Sequence, residues 1–161
     1  ILTGNGAGQN LNGIIPQAAD YETARNSTGD NELQILLHAI SQAEEANAPV
    51  TGIVISKKKW RDILGIRDNE GRYLSNGPFD STAAKIWDLP VVGSNAMADD
   101  DFLVGSFGSG VGAEIFDRLA LEVAISSEND RDFETNQLTI RIEERLALAV
   151  YRPEAFVYGT F

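Results

Sequence analysis

The 161-residue chain is acidic, with 24 Asp and Glu against 13 Lys and Arg and a formal net charge of −11, which argues against a protein whose main surface lies along nucleic acid or an anionic membrane. It has no cysteine and a single histidine, so disulfides, thiolate metal sites and multi-histidine metal sites are excluded. No apolar run approaches the roughly 20 residues that span a bilayer.

The first third of the chain combines a connecting segment with one helix. Residues 1–31 are rich in Gly, Asn, Asp and Thr, which predicts an extended segment that leans on other elements. The start has no signal-peptide pattern; it also lacks an initiator methionine and begins in what looks like a turn, which predicts a piece of a longer protein. Apolar residues then recur at helical spacing, which predicts a helix over about residues 31–46, capped by Asp30 and ended before Pro49.

A strand followed directly by a helix is predicted next. Thr51–Ser56 is a short β-branched run typical of a buried strand, and Ser56 stands where the N-cap of a helix belongs. The apolar residues between Trp60 and Leu64 share one helical face, which predicts a two-turn helix before Gly65. This order of elements indicates an α/β lobe.

Turn signals divide the middle of the chain into short extended pieces. Tyr73–Leu74 is predicted to be extended and to be broken by Asn76–Pro78. Trp87–Val92 is predicted to form a strand that the chain enters through Pro90, which suits an edge strand or a first strand position.

From Glu114 onward, apolar and polar residues alternate with the period of a strand. Two such runs, Leu121–Ile125 and Leu138–Ile142, flank the polar segment Ser126–Asn136, which predicts a long protruding hairpin loop between two strands. Glu144–Phe156 is predicted to add a further strand or a short helical turn, and then a closing extended piece. An α/β lobe followed by an antiparallel β lobe is an α+β fold.

The C-terminal part of the chain carries a family resemblance. Ile115–Arg118, the alternating strand and the run Ile140-Arg-Ile-Glu-Glu-Arg-Leu-Ala-Leu-Ala-Val-Tyr-Arg-Pro-Glu-Ala-Phe156 resemble the C-terminal signature of tailed-bacteriophage major capsid proteins of the Hong Kong 97 type. Gly4–Asn10 and Trp87–Val92 match the same family in order and rough spacing. The resemblance therefore covers nearly the whole chain.

The resemblance implies a Hong Kong 97-like fold with two lobes. The tips of the axial lobe meet around fivefold and sixfold axes, and the peripheral lobe lies near threefold axes. On that mapping residues 1–14 are a connecting segment, residues 15–112 form the axial α/β lobe, and residues 113–161 form part of the peripheral antiparallel β lobe. Family members also carry an N-terminal arm, an extended hairpin and a spine helix, which are expected to lie ahead of these residues and outside this chain.

The resemblance implies a structural function, not an enzyme. The expected protein is the major capsid subunit of a tailed phage or prophage, which assembles with identical subunits into the pentamers and hexamers of an icosahedral shell. Its expected locations are the virion and, during assembly, the cytoplasm of the bacterial host. Other shell components of the phage are further expected partners, whereas no cofactor, metal, membrane or sequence-specific nucleic acid is expected.

Two alternative functions stay open at this point. A non-viral, encapsulin-like compartment shell would have a similar fold. An acidic metal-assisted hydrolase would use Asp99, Asp100 and Asp101 as oxygen ligands for a hard cation. Three consecutive carboxylates do not converge easily on one ion, so an exposed acidic turn is the preferred interpretation of this triplet.

Asn136 and Glu143 match positions at which some relatives join adjacent subunits by an isopeptide bond. The resemblance implies a lysine, located ahead of this sequence, that attacks the asparagine while the glutamate takes up its proton. The two residues are seven positions apart, so they would face opposite ways on one regular strand. A loop asparagine and a strand-end glutamate, without crosslinking, are the preferred interpretation.

Five charged residues near the C-terminus are predicted to form ion pairs. An arginine followed by Pro153 is well placed to bind a carboxylate through two hydrogen bonds. The set is predicted to fix the C-terminal strand to the peripheral sheet or to the next subunit. Its members are Glu143, Glu144, Arg145, Arg152 and Glu154.

Three further features have structural interpretations. The glycine-rich Gly105–Gly112 fits no phosphate-binding motif and is predicted to be a flexible loop. His38 lies one position off the apolar helical stripe, which predicts a partly exposed histidine or one at the edge of the core. Lys57–Lys59 oppose the dipole at a helix start, so they are interpreted as solvated charges or as partners for acidic groups on a neighbour.

Overall fold

The computed structural model describes residues 1–74, 84–108 and 110–161. Within them the helices are α1 (Glu32–Glu45), α2 (Lys57–Leu64) and α3 (Asp132–Thr135). The strands are β1 (Ala19–Asp20), β2 (Gly52–Ser56), β3 (Lys85–Ile86), β4 (Leu89–Ser94), β5 (Asp101–Gly105), β6 (Ala113–Ser126), β7 (Thr139–Val150) and β8 (Phe156–Thr160). Short 3-10 helices are Ile15–Gln17, Thr23–Arg25 and Pro153–Ala155. None of the described helices is long and apolar enough to cross a membrane.

The chain divides into two compact units. The larger unit comprises Ile1–Glu114 and Val150–Phe161, and the smaller unit comprises Ile115–Ala149. A six-stranded mixed sheet has the order β1-β8-β5-β2-β4-β3, and β6 and β7 form a separate two-stranded sheet. The combination of helices with these sheets confirms the predicted α+β class.

The C-terminal strand lies in the larger sheet, which differs from the lobe predicted for residues 113–161. β8 is antiparallel to β5, with Val157 opposite Val104, and parallel to β1. Phe156 and Val157 are fully buried, so the burial of large apolar side chains determines where this segment lies. Such long-range pairing cannot be read from the local alternation of β6 and β7.

The core of the larger unit joins residues from the start, middle and end of the chain. Helix α1 packs against β5 and β8, and α2 packs against β2 and β4. Phe102 is fully buried, and its ring centroid lies 5.5 Å from that of Tyr21 and 4.9 Å from that of Phe161. The buried cluster around it comprises Tyr21, Leu36, Ala39, Ile40, Ala43, Ile53, Ile55, Ile63, Ile86, Val91, Val104 and Val157.

Helix α1 lies where it is predicted, but its cap is different. The Gln34 backbone N–H donates to the Asn31 side chain at 3.1 Å, and the Asn31 backbone N–H donates to the Gln34 side chain at 2.9 Å. This capping box satisfies two N–H groups at the helix start. The predicted cap, Asp30, instead accepts a hydrogen bond from the Ser27 N–H at 2.7 Å.

Asn31→Ala is therefore expected to lower the free energy of unfolding by about 1 kcal/mol, because it removes the side-chain acceptor of the cap. Equilibrium urea unfolding followed by tryptophan fluorescence measures the change. Glu44→Ala, an exposed substitution in the same helix, is the matched control and should stay within about 0.5 kcal/mol of the wild type. Wild-type stability in the Asn31 variant would show that the cap contributes nothing.

The segment that leads into β4 departs from the prediction. The predicted break at Asn76–Pro78 lies outside the described residues. The strand predicted over Trp87–Val92 begins at Leu89, because Trp87–Asp88 form the turn from β3, with φ of +50° and +64°. Pro90 is the second residue of β4 and faces the two-residue edge strand β3, where a missing N–H is tolerated.

Candidate interaction surfaces

The smaller unit exposes apolar side chains along both of its strands. They recur at every second residue, so they lie on one side of each strand. We term this set the hairpin face: Leu121 (65 % exposed), Val123 (55 %), Ile125 (65 %), Ile140 (61 %) and Ile142 (63 %). A two-stranded sheet by itself is marginally stable in water, and clustered apolar surface marks contact sites. The hairpin face is therefore suited to contact with protein rather than with water.

The connection between β6 and β7 contains a short helix within the predicted loop. Helix α3 carries Phe133, which is 85 % exposed. The Thr139 hydroxyl donates to the Asp132 carboxylate, and Arg131 Nε lies 3.3 Å from Glu134 Oε2. Local polar contacts thus order the connection, and its exposed aromatic ring extends the apolar surface of the unit.

Asn136 and Glu143 both lie in the smaller unit, but only one of them is on a strand. Asn136 follows α3 in the left-handed conformation, with φ of +53°, whereas Glu143 lies within β7. The expectation that they face opposite ways on one strand therefore does not apply. Asn136 is exposed, and within the described part of the chain its side chain makes no hydrogen bond. Glu143 Oε1 lies 3.7 Å from Arg141 Nη2.

The charged residues near the C-terminus do not hold the C-terminal strand by ion pairs within the chain. Apart from the Glu143 contact, none of the predicted set lies within 4.0 Å of an opposite charge in the described ranges. Arg152 Nη1 instead donates to the Asn47 carbonyl at 3.4 Å. Backbone pairing with β5 holds β8, so the intramolecular form of the prediction is wrong. Contact of this set with the next subunit stays a prediction.

The acidic triplet Asp99–Asp101 is paired with lysines of its own unit. Lys58 Nζ lies 2.8 Å from Asp99, and Lys59 Nζ lies 3.5 Å from Asp100. These two lysines were expected to be solvated or to face a neighbour, and they are instead bound within the chain. No cluster of three or more acidic or histidine side chains that could hold a metal ion occurs among the described residues.

Asp101 differs from the other two carboxylates because it begins β5 and faces β8. It accepts hydrogen bonds from the Tyr158 hydroxyl and, at 3.3 Å, from Thr160 Oγ1. The hydrogen bond to Asp101, followed by burial, raises the pKa of Tyr158 to about 12. A tyrosine whose pKa is raised above the unfolded value of about 10 stabilises the folded state below that pH. This contribution is lost as the pH rises through the folded pKa.

Tyr158→Phe is accordingly expected to flatten the alkaline dependence of thermal stability. The wild-type melting temperature should fall between about pH 10 and about pH 12, and the variant should fall less over this interval. Melting curves recorded by circular dichroism from pH 8 upward test this. A Tyr158→Phe variant with the same alkaline slope as the wild type would contradict the assignment.

Glycines in Gly105–Gly112 serve close packing. A Cβ atom on Gly105 would lie 2.3 Å from Phe156 Cδ1, and one on Gly112 would lie 2.1 Å from the Ser106 carbonyl oxygen. The flexible-loop prediction is therefore wrong for both ends of this segment, because the buried Phe156 leaves no room for side chains there. One position inside the segment lies outside the described residues.

His38 is partly exposed, as predicted from its place beside the apolar stripe. Its Nε2 lies 3.3 Å from the Asp30 carboxylate, and its side chain is 36 % exposed. His38 lies in the middle of α1, and its partner Asp30 precedes the start of the helix.

Trp87 is an exposed residue that the sequence did not reveal as part of a turn. It is 53 % exposed, and its Nε1–H donates to the Leu33 carbonyl at 3.2 Å. Two-residue hairpin turns with positive φ usually contain Gly or Asn. Because Trp87 and Asp88 are neither, no local signal predicts this turn.

Solved shell proteins share this fold. The chain matches the capsid of an empty GTA particle with a TM-score of 0.70 and 16 % identity, over 94 % of this chain and 56 % of that one. A structure from Microbacterium phage Oxtober96 matches with a TM-score of 0.70 and 16 % identity, over 91 % and 54 % of the two chains. A virus-like particle from Pyrococcus furiosus matches with a TM-score of 0.62 and 16 % identity, over 89 % and 56 %. The fold is thus that of Hong Kong 97-like capsid proteins.

The amino-acid sequence identifies the protein family. Residues 1–161 match the Phage capsid family, and the chain belongs to it. It is 43 % identical over 161 residues to the major capsid protein of Enterobacteria phage HK97. The match covers 100 % of this chain and 41 % of that protein, so the chain spans about two fifths of the length of this curated relative. The predicted family resemblance is confirmed.

Proposed function

We propose that this chain is part of a phage or prophage major capsid subunit that assembles with identical copies into the pentamers and hexamers of an icosahedral shell. The observation that carries the proposal is the 43 % identity, along the whole chain, to the major capsid protein of Enterobacteria phage HK97. The larger unit is proposed to be the axial lobe and the smaller unit the peripheral lobe. The proposed place of action is the virion, after assembly in the host cytoplasm.

The exposed hairpin face supports a function in mutual burial of surface. Its five apolar side chains are each more than half exposed in the single chain. Contacts with identical neighbours would remove this surface from water, and a closed symmetric shell repeats each modest contact many times. The net charge of −11 is compatible with a shell wall but not with a protein that wraps nucleic acid.

Electron microscopy of the complete gene product, expressed alone, tests this proposal. Regular hollow particles or free pentamers and hexamers are the expected result. A protein that stays monomeric at high concentration would contradict it. Leu121→Lys/Ile140→Lys, which places charges on the hairpin face, should reduce particle yield without changing the melting temperature of the monomer. Leu119 is less exposed and would not separate folding from assembly, so it is a poorer site for this test.

Other functions have less support. The hydrolase alternative needs a metal at Asp99–Asp101, and the first two of these carboxylates are paired with lysines. A rise in melting temperature on titration with Mg²⁺ or Mn²⁺ would support the hydrolase alternative. A non-viral compartment shell would share the fold, but the sequence identity to a phage protein favours the viral function.

We also propose that Asn136 and Glu143 are available for an isopeptide bond to a lysine of a neighbouring subunit. The observation that favours this second activity is the exposed Asn136 amide, which has no hydrogen bond in the described residues. The Glu143 carboxylate would take a proton from the lysine, whose Nζ would then attack the Asn136 side-chain carbonyl carbon. The new amide bond would form as the bond to the side-chain nitrogen breaks, and ammonia would leave.

Denaturing gels of assembled particles test the crosslink. Covalent oligomers are expected in the wild type and should be absent in Asn136→Ala and in Glu143→Ala. Glu122→Ala is the matched control, because it removes an exposed carboxylate from the neighbouring strand β6 and should leave the oligomers intact. Monomers alone in wild-type particles would contradict the proposal.

The remaining charged residues near the C-terminus are proposed to contact the next subunit. They are exposed and, within the described ranges, have no partner of opposite charge: Glu144, Arg145, Arg152 and Glu154. Ion pairs across a subunit interface would give these residues partners of opposite charge without any change of the fold.

A further inference from the structure

Helix α2 carries two exposed cations without an ion pair in the described residues, although the chain as a whole is acidic. Helix α2 and the end of β4 border an open depression of about 510 Å³, which we term the basic side. Its lining residues are Lys57, Lys58, Arg61, Asp62 and Asn95. Lys58 is paired with Asp99. Lys57 and Arg61 are exposed, and neither lies within 4.0 Å of a carboxylate in the described residues. Two cations on this side thus have no partner within the described chain.

The opposite charge is concentrated around β1 and the end of α1. Gln42 joins these two elements, because its Nε2 donates to the Asp20 carbonyl at 2.9 Å and its Oε1 accepts from the Glu22 N–H at 3.0 Å. Arg25 is the cation among them, bound to Glu22 at 2.9 Å and to Glu45 at 2.7 Å. We term the exposed carboxylates here the acidic side: Asp20, Glu22, Glu44 and Glu45. Glu22 and Glu45 are bound to Arg25, whereas Asp20 and Glu44 have no ion pair in the described residues.

The topology of the sheet places these two sides apart. β1 is one edge strand, and β8 and β5 lie between it and β2. α2 packs on β2 and β4, beyond those intervening strands. Three strand spacings separate β1 from β2, which is about 14 Å. The charges of one chain are therefore kept apart by its own sheet, and each side is free to meet a different molecule.

We propose that the basic side of one copy binds the acidic side of the next copy, head to tail, within the rings of the shell. This inference rests on the proposed function and names the surfaces that make the contact. A heterologous contact between two different sides of one subunit closes into a ring when its rotation permits. Exposed charges of opposite sign steer association and fix orientation more than they add affinity. The contact should therefore set which side faces which neighbour, and it should weaken as salt is added.

Charge reversal in the complete gene product tests the inference. Variant A carries Lys57→Glu and Arg61→Glu, and variant B carries Asp20→Lys and Glu44→Lys. All four side chains are exposed and lack an ion pair in the described residues, so the melting temperatures should stay close to that of the wild type. Each variant alone should give at least tenfold fewer rings than the wild type in 50 mM NaCl, measured by native mass spectrometry.

Mixing the two variants gives the sharper result. In a head-to-tail ring A has two acidic sides and B has two basic sides, so complementary contacts exist only where A and B alternate. Hexamers should therefore return in the mixture, whereas pentamers, with an odd number of subunits, should not. The quadruple variant keeps the wild-type net charge with the two sides exchanged, and it should form both rings again.

The outcomes separate this inference from the function on which it rests. Wild-type rings together with ring formation by A or B alone would overturn the inference and leave the proposed function intact. A folded quadruple variant that forms no rings would also overturn it. A wild-type protein that forms no rings under any condition would contradict the proposed function and the inference together.

Discussion

Gly112→Ala is expected to lower the free energy of unfolding by about 3 kcal/mol, the upper part of the usual range for overpacking. The added Cβ would lie 2.1 Å from the Ser106 carbonyl oxygen and 2.8 Å from Phe156 Cζ. Relieving this clash requires a shift of the backbone, because the nearest atom is the Ser106 carbonyl oxygen and not the end of a flexible side chain. The Gly112 carbonyl also accepts the Tyr151 N–H at 2.8 Å, so such a shift would strain the return of the chain towards β8.

Urea unfolding followed by the fluorescence of Trp60 and Trp87 measures this change. Gly108→Ala is the matched control, since the nearest atom to its Cβ is Thr51 Cγ2 at 3.9 Å, an ordinary contact. The control should stay within about 0.5 kcal/mol of the wild type. Equal stability of the two variants would show that the segment adapts freely to side chains.

Phe102→Ala is expected to cost about 3 to 5 kcal/mol, because it leaves a cavity at the centre of the larger unit. Phe102 is fully buried and contacts the rings of Tyr21 and Phe161. The substitution therefore loosens the N-terminal segment, β5 and the C-terminus at once. The midpoint of urea unfolding should fall, and thermal unfolding should begin at a lower temperature.

Phe133→Ala removes the same side chain from a site that is 85 % exposed and provides the comparison. Its cost in the isolated subunit should be below about 0.5 kcal/mol. A cost below about 1 kcal/mol for Phe102→Ala would contradict the central place assigned to this residue.

Elements with local signals could be predicted from the sequence. Ser56 caps α2 as expected, and its hydroxyl accepts the Lys59 N–H at 3.1 Å. The helix ends at Leu64, before Gly65, as its pattern indicates. Capping chemistry and helical periodicity act over a few residues, so a single sequence is enough to read them.

Features that depend on distant partners could not be predicted in the same way. β8 joins the larger sheet by pairing with β5, which is far away in the chain. The turn at Trp87–Asp88 contains no glycine that would indicate it in the sequence. The contact of Lys58 with Asp99 spans 41 positions. The glycines of Gly105–Gly112 have the composition of a loop, and only the position of Phe156 shows that they are required for packing.

The same distinction between local signals and distant partners applies to the candidate interaction surfaces. The alternation along β6 and β7 identifies strands with an apolar side, and the exposed hairpin face agrees with that pattern. The opposite charges around α2 and β1 are separated in the sequence by other charged residues of both signs. They become two sides because the Gln42–Asp20 hydrogen bond joins α1 to β1, whereas α2 packs on β2 and β4, away from β1.

The position of β8 has a consequence for biosynthesis. This strand is inserted between β1 and β5, although the ribosome makes it after every other strand described here. The six-stranded sheet cannot close before Thr160 has left the exit tunnel, so nascent chains reach their final form only after translation of this segment is complete. A chain truncated before β8 would leave β1 and β5 without the strand that pairs with both of them.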